Sequence, residues 1–361
     1  MEILIFLTIC SIFFYFLIGN EKNRNKLRLR LGLLVIGLPK RKNFVSLESF
    51  TARPEFVDDC ILDEEKVFDS KISKLSDSNI LNSSNVCHEW TAMPFFLRHM
   101  QNIYVHTKCS FINYKNTKLY TNEFMCDWGK SSLIYVAPKN KKVKKIDSNR
   151  PLYVLANTGF HAIVEDLPSI LLLEKKNKKF DIVIESKQSW IFKLLEIFTG
   201  NNHNYYEVSD DCWIESDSFF LASRSYIAEF VNPNLINILK KASENLTLKK
   251  FETQKIFISR SDAPWRMHPL ENQFSKKFQE NGYTIINLSE LSVIDQIALF
   301  QNLTHVAGFH GAGFTNIIWA ANKLKITELY TLNHFNSSYS TLATALGHQY
   351  ENFLVDSKNF E

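Results

Sequence analysis

Two stretches of this chain hold residue types suited to gripping an anionic ligand, and a third holds groups suited to moving a proton. The first is Ile258-Ser259-Arg260-Ser261-Asp262-Ala263-Pro264-Trp265-Arg266, with two arginines on one polar loop. Guanidinium forks match phosphate oxygens bidentately, and Pro264 stiffens the loop between Arg260 and Arg266. The second is Gly308-Phe309-His310-Gly311-Ala312-Gly313-Phe314-Thr315-Asn316. Gly311 and Gly313 permit close backbone approach, and the N–H groups from Ala312 to Thr315, at the start of a helix, favour negative charge. His310, Thr315 and Asn316 add side-chain donors, and Glu328 at a strand end is placed to accept from ribose hydroxyls. Two arginines joined to such a glycine turn point to a diphosphate site.

The third stretch holds His161, Glu165 and Asp166. On a helix His161 and Glu165 are four apart and share a face, which makes them an acid/base pair, whereas Asp166 projects about 100° away from Glu165. All three are candidates for a general base. Asp262 beside Arg260 is assigned a local loop hydrogen bond. No Asp-x-Asp pair follows a strand, since Asp58-Asp59 and Asp210-Asp211 fall in loop-like surroundings. With arginines and a helix end facing the phosphates, no metal or other cofactor is required, and metal-independent chemistry is expected.

These residues need elements that present them. Lys255–Ser259 reads as a buried strand ending at Arg260. The order continues with helix Leu270–Glu280, strand Tyr283–Asn287, helix Ser292–Asn302 and strand Thr304–Ala307. After the glycine turn come helix Phe314–Ala321, strand Lys325–Tyr330, helix Ser338–Gly347 and a strand near Asn352–Val355. Upstream, strand Pro151–Leu155, helix Phe160–Glu174, strand Phe180–Ile184 and helix Trp190–Phe198 form a first α/β unit, and Pro233–Asn245 reads as a helix leading into the second. Short β-rich pieces fill Asn102–Val136, and Asn43 to Ser84 reads as loops and short helices. Two consecutive α/β units imply a cleft between two doubly wound domains, with ligands at the C-terminal ends of the strands.

Composition is consistent with this. The chain has 361 residues, 45% hydrophobic and 13% aromatic, enough for packed cores. Its 42 basic and 38 acidic residues balance to +4, which argues against a surface that wraps nucleic acid. The six cysteines include no C-x-x-C pair, so they signal neither zinc nor a disulfide framework and read as buried thiols. Five N-glycosylation sequons, from Asn82 to Asn336, read as chance in an Asn-rich chain. Ile3–Ile18 is apolar and free of charge. At about 1.5 Å per residue it falls somewhat short of a ~30 Å hydrocarbon core, yet it reads as a membrane segment. Lys22, Arg24, Lys26, Arg28 and Arg30 follow it, which favours a cytoplasmic body, with the Golgi or ER lumen as the alternative.

Three of these stretches, in this order, resemble glycosyltransferase family 61. Asn157–Leu172, with His161 and Asp166-Leu167-Pro168, is similar to the family's histidine, aspartate and Leu-Pro segment. Ile258–Arg266 is similar to its Ser-Arg motif, and Gly308–Asn316 to its His-Gly-Ala-Gly-hydrophobic-Thr-Asn signature. The resemblance covers roughly Val86 to Val355; Ala162 and Ser169 depart from the pattern, where Trp and a basic residue are common. It implies two Rossmann-like domains facing a cleft, the GT-B type, and inverting transfer from a nucleotide sugar, UDP-GlcNAc or UDP-xylose, to a glycan, glycolipid or glycoprotein. The implied plan has residues 1–19 as membrane anchor, 20–85 as basic connector and stem, 86–230 on the acceptor side and 231–361 on the donor side. The alternative is a catalytically inactive carbohydrate-binding or scaffold protein with the same fold.

Overall fold

The computed structural model describes residues 56–61, 66–69, 89–92, 96–101, 103–107, 112–114, 118–120, 143–155, 159–185, 189–200, 202–209, 212–222, 231–262, 268–330 and 337–355. The proposed anchor at 1–19 and the last part of the expected β-rich stretch, residues 121–136, lie outside them. Among the described residues no helix is long and apolar enough to cross a membrane.

Two large sheets organise the mixed α/β molecule. The first contains β1 (Phe56–Ile61), β2 (Phe96–Gln101), β3 (Leu152–Val154), β4 (Asp181–Glu185), β5 (Tyr205–Val208) and β6 (Ser218–Ala222). Their order is β1-β2-β6-β3-β4-β5. The β6-β3-β4-β5 part is parallel, and β2 and β1 are added antiparallel. The second sheet contains β7 (Lys255–Ile258), β8 (Thr284–Ile286), β9 (His305–Phe309), β10 (Lys325–Tyr330) and β11 (Gln349–Leu354). It is parallel throughout, in the order β8-β7-β9-β10-β11. That is a doubly wound order whose switch point lies between β7 and β9, where crossovers leave in opposite directions and open a crevice. Arg260 and His310 follow those two strands.

A further sheet pairs Ile103–His106, Ile112–Tyr114, Lys118–Tyr120, Val143–Lys145 and Trp213–Glu215. The reading of 43–84 as loops and short helices is corrected, because Phe56–Ile61 and Lys66–Asp69 are strands. Their sequences, FVDDCI and KVFD, are too polar and short to announce a strand, and they gain that conformation by pairing with β2 and with Glu89–Ala92.

The helix after β3 is irregular. One turn at Gly159–His161 passes into a π-helical segment, Ala162–Asp166, and then into α1 (Leu167–Lys175). Leu167 N–H donates to the Ala162 carbonyl, five residues back. The next residue, Pro168, has no N–H to continue the ordinary ladder, which explains the wider turn before it. The remaining helices are α2 (Ser189–Thr199), α3 (Pro233–Glu244), α4 (Glu271–Glu280), α5 (Val293–Gln301) and α6 (Ser338–Ala345). Asn232 caps α3 through Asn234 N–H, and Ser292 caps α5 through Asp295 N–H. The segment expected as an α-helix after the glycine turn is a 3-10 helix, Ala312–Trp319.

One apolar core runs from Leu167, Ile170 and Leu195 through Leu235 and Leu239 to Ile297, Phe300, Ile317 and Trp319. Helix α3 packs against both α1 and the 3-10 helix, while α2 packs on α5 and Phe198 stacks on Trp319. The two parallel units thus share buried contact across the domain boundary expected at 230/231. Cys212 is buried, and its thiol donates to the Ser209 carbonyl.

Candidate functional site

The Arg260 loop is held by a carboxylate that the sequence reading passed over. Glu271, at the first position of α4, is only 4% exposed. It accepts from the Ser259 hydroxyl at 2.9 Å and from the Arg260 backbone N–H. An acidic residue is favoured at a helix start, so a signal existed, but nothing in the sequence tied it to a loop eleven residues upstream. Further along, Ser261 bonds Asn287, and Asp262 accepts from Ser289, a partner far along the chain rather than within its own loop as expected. Arg266 lies outside the described residues.

The glycine turn is shaped around this loop. A Cβ at Gly311 would stand 1.7 Å from Arg260 Nη1. The guanidinium therefore lies across the turn in space that any side chain would take. A Cβ at Gly308 would meet the Ile258 carbonyl at 2.9 Å, and one at Gly313 would meet Leu288 Cδ1 at the same distance. The glycines serve close packing of the second motif on the first strand as well as ligand approach.

Other members of the expected phosphate cradle have specific positions. Phe314 N–H donates to the Gly311 carbonyl at 3.0 Å and is engaged. Asn316 lines the cavity described below and also staples the 3-10 helix: its Nδ2 donates to Gln296 and to the Gly313 carbonyl, and its Oδ1 accepts from Trp319. Thr315 is 1% exposed, and its hydroxyl has no hydrogen-bond partner among the described residues.

His310 leaves β9 with its backbone N–H on the Leu329 carbonyl, which carries the ladder one step past the strand. Its Nδ1 is 2.6 Å from Glu328 Oε1. Glu328 was read as a ribose acceptor, but it is fully buried, and Tyr350 donates to its other oxygen at 2.6 Å. Both oxygens are thus occupied inside the protein, so the ribose role gives way to a hold on His310. The ring stacks on Tyr330 and touches Tyr339. Burial, and then the charge of Glu328, pushes the Tyr330 and Tyr350 hydroxyls well above the usual phenol range, so both remain donors.

Across from this group stands the helix after β3. His161 Nδ1 lies 2.9 Å from Glu165 Oε1, the pair expected from their spacing. Asp166 points the other way, into the sheet, where it is fully buried and accepts from Tyr153 at 3.0 Å. Fully enclosed there, it is less suited to act as a base than His161, which is partly exposed. Aromatic contacts connect the two histidines: His161 to Phe160, Phe160 to Tyr339, and Tyr339 to His310. A cavity of about 310 Å³ opens beside them, lined from one side by Gly159, Ile163 and Trp190 and from the other by Leu288, Gly313 and Thr315. Residues following strands of both sheets therefore meet in one space, at the low end of ligand-pocket sizes.

Arg260 and His310 can supply a cation and a donor beside the glycine turn, and His161 with Glu165 a proton acceptor on the helix after β3; their neighbours Gly313, Gly159 and Ile163, rather than these side chains, line the cavity. No individual curated protein matches the chain. Residues 160–327, which run from the start of the irregular helix to the strand that carries Glu328, match the family model described as Glycosyltransferase 61. The two histidines and Arg260 all fall within the match, so this part of the chain is similar to glycosyltransferase family 61.

Proposed function

We propose that this glycosyltransferase moves a sugar from a nucleoside diphosphate donor, UDP-linked, to a hydroxyl of a glycan, glycolipid or glycoprotein, with inversion at the anomeric carbon. The observation that carries the reading is the Arg260 guanidinium laid across Gly311 beside His310, at the switch point of the parallel sheet. The two parallel units act as the halves of a GT-B cleft, donor on the β7–β11 side and acceptor on the β3–β4 side.

In the step, His161 takes the proton of the acceptor hydroxyl, with Glu165 holding its Nδ1–H. The oxygen attacks the anomeric carbon from the face opposite the diphosphate. The bond from that carbon to the phosphate oxygen breaks, its electron pair stays on the oxygen, and Arg260 and His310 meet the new charge. The sugar ring occupies the cavity against Trp190 and Leu288. Because arginine and histidine supply the leaving-group stabilisation, the step uses no metal; loss of turnover in EDTA with recovery in magnesium would overturn that assignment. The apolar run Ile3–Ile18 and the basic residues behind it support anchoring with a cytoplasmic body. Protease accessibility in sealed membranes reads the side.

The test is a panel of UDP, GDP and ADP, and their sugars, monitored by thermal shift and nucleotide release. At least one nucleoside diphosphate stabilises the protein; if none does, the reading fails. Arg260→Ala and Gly311→Ala each lower turnover by about 100-fold or more, the first by removing the cation and the second by displacing it. Normal turnover in Arg260→Ala would mean the diphosphate lies elsewhere.

A further inference from the structure

We propose that Glu271 is a positioning residue: from the first turn of α4 its carboxylate fixes the Arg260 backbone, and so sets the guanidinium against the glycine turn that follows β9. The inference rests on the reading of Arg260 as the diphosphate contact given above. A carboxylate only accepts, so Ser259 gives its hydroxyl proton to Glu271 Oε1 at 2.9 Å, and the Arg260 N–H goes to the same oxygen. Oε2 is buried and has no hydrogen-bond partner among the described residues. The hydrogen bonds of this buried side chain there all go to two consecutive residues of the ligand loop. An acidic residue at a helix start also serves the helix dipole, but that role needs charge and no particular reach.

Neighbouring bonds pin the rest of the loop. Ser259 N–H donates to the Ile286 carbonyl at 2.9 Å, one step beyond β7. Ser261 N–H turns back onto the Ser259 hydroxyl oxygen at 3.2 Å, and the Ser261 hydroxyl donates to Asn287 at the same distance. The β8 side thus holds Ser259 and Ser261, while Glu271 holds Arg260 from the α4 side. The helix turn is itself fixed. Glu271 N–H donates to the His268 carbonyl at 3.0 Å, and the His268 ring stacks on Phe309 with centroids 4.7 Å apart and planes at 15°. Phe309 ends β9, and His310 is the next residue. One turn of α4 therefore refers the Arg260 loop and the end of β9 to a common frame. The guanidinium fills the space a Cβ would take at Gly311, so a small shift of the loop moves the cation off its seat.

The experiment separates reach from charge. Glu271→Gln keeps an accepting oxygen at the same reach and loses the charge, whereas Glu271→Asp keeps the charge and stops one methylene short. Read as nucleotide release from the best UDP-sugar, Glu271→Gln retains turnover within about threefold of the wild type, and Glu271→Asp lowers it by about 10- to 100-fold, the cost of a misplaced catalytic group. The opposite ranking, or equal turnover in the two, overturns the inference. In an Arg260→Ala background Glu271→Asp has no further effect; losses that add would show that Glu271 acts independently of Arg260. A second readout needs no nucleotide. In nitrogen-15 spectra of the arginine-labelled full chain, the Arg260 Nε–H signal, assigned by its loss in Arg260→Ala, keeps its wild-type position in Glu271→Gln and moves in Glu271→Asp. An unmoved signal in Glu271→Asp overturns the inference. Should that variant not fold, Glu271→Gln decides alone, because a displaced Arg260 signal there is equally fatal. If no nucleoside diphosphate binds the wild type, the functional reading fails while the arginine signal still tests the positioning.

Discussion

His161 and His310 each give Nδ1 to a glutamate, but the two pairs are built by different means. His161 and Glu165 sit one turn apart on a single helix, with side chains 14% and 7% exposed. His310 and Glu328 come from adjacent parallel strands, with side chains 9% and 0% exposed. The helical pair sits on the same short irregular helix as Gly159 and Ile163, which line the cavity. The sheet pair encloses its carboxylate among Tyr350, Tyr330 and the strand backbone. The first arrangement suits a group that must exchange a proton with a variable acceptor. The second suits a fixed contact with an invariant part of the donor.

The largest expected effect tests this division. His161→Ala lowers turnover by about 10²- to 10⁴-fold, the usual contribution of a general base, and leaves nucleoside diphosphate affinity unchanged. His310→Ala weakens that affinity. Calorimetric titration of UDP into both variants separates the two; if His161→Ala is the one that loses nucleotide, the roles are reversed.

A third histidine sharpens the comparison because its partners are backbone atoms rather than a carboxylate. His348 Nδ1 accepts from Leu324 N–H, and its Nε2 faces the Ile317 carbonyl. Burial is the main cause that lowers its pKa to about 4, partly opposed by the bond to Ile317. The unfolded chain takes up this proton near pH 6.5 and the folded chain only near 4, so the stabilising contribution is present above pH 6.5 and is lost as pH falls toward 4. The loss is on the order of 3 kcal/mol. Denaturant titrations at pH 7 and pH 4.5 measure it, and the His348→Gln variant loses much of that difference.

The smallest effect concerns Asp166. Tyr153→Phe removes the buried donor to this carboxylate and costs about 1–3 kcal/mol of stability. Turnover per folded molecule stays within about twofold, since surrounding packing holds the helix. A large loss of turnover at unchanged stability would return Asp166 to the candidates for the base.

Much of the scaffold was legible. Lys325–Tyr330 matches its expected bounds, and the strands and helices around the two ligand motifs lie within a few residues of theirs, because short apolar runs between turn residues leave few alternatives. The polar strands β1 and β5 were not legible, since their conformation comes from pairing with a neighbour. The 3-10 form of Ala312–Trp319 was hidden as well: Asn316 and Trp319 bond each other at i,i+3, a detail that helical periodicity does not record.

The sequence by itself determined which residues could meet an anion and which could share a helix face. Arg260, the glycine turn and the His161–Glu165 pair depend on local spacing, and local spacing is written along the chain. Only the tertiary structure decided the roles of the carboxylates. Glu271, Glu328 and Asp166 look alike in a sequence, yet one holds the arginine loop, one fixes a histidine and one is bonded into a sheet. A carboxylate takes its role from the donors that surround it once it is buried, and those donors come from strands and helices far away in the chain.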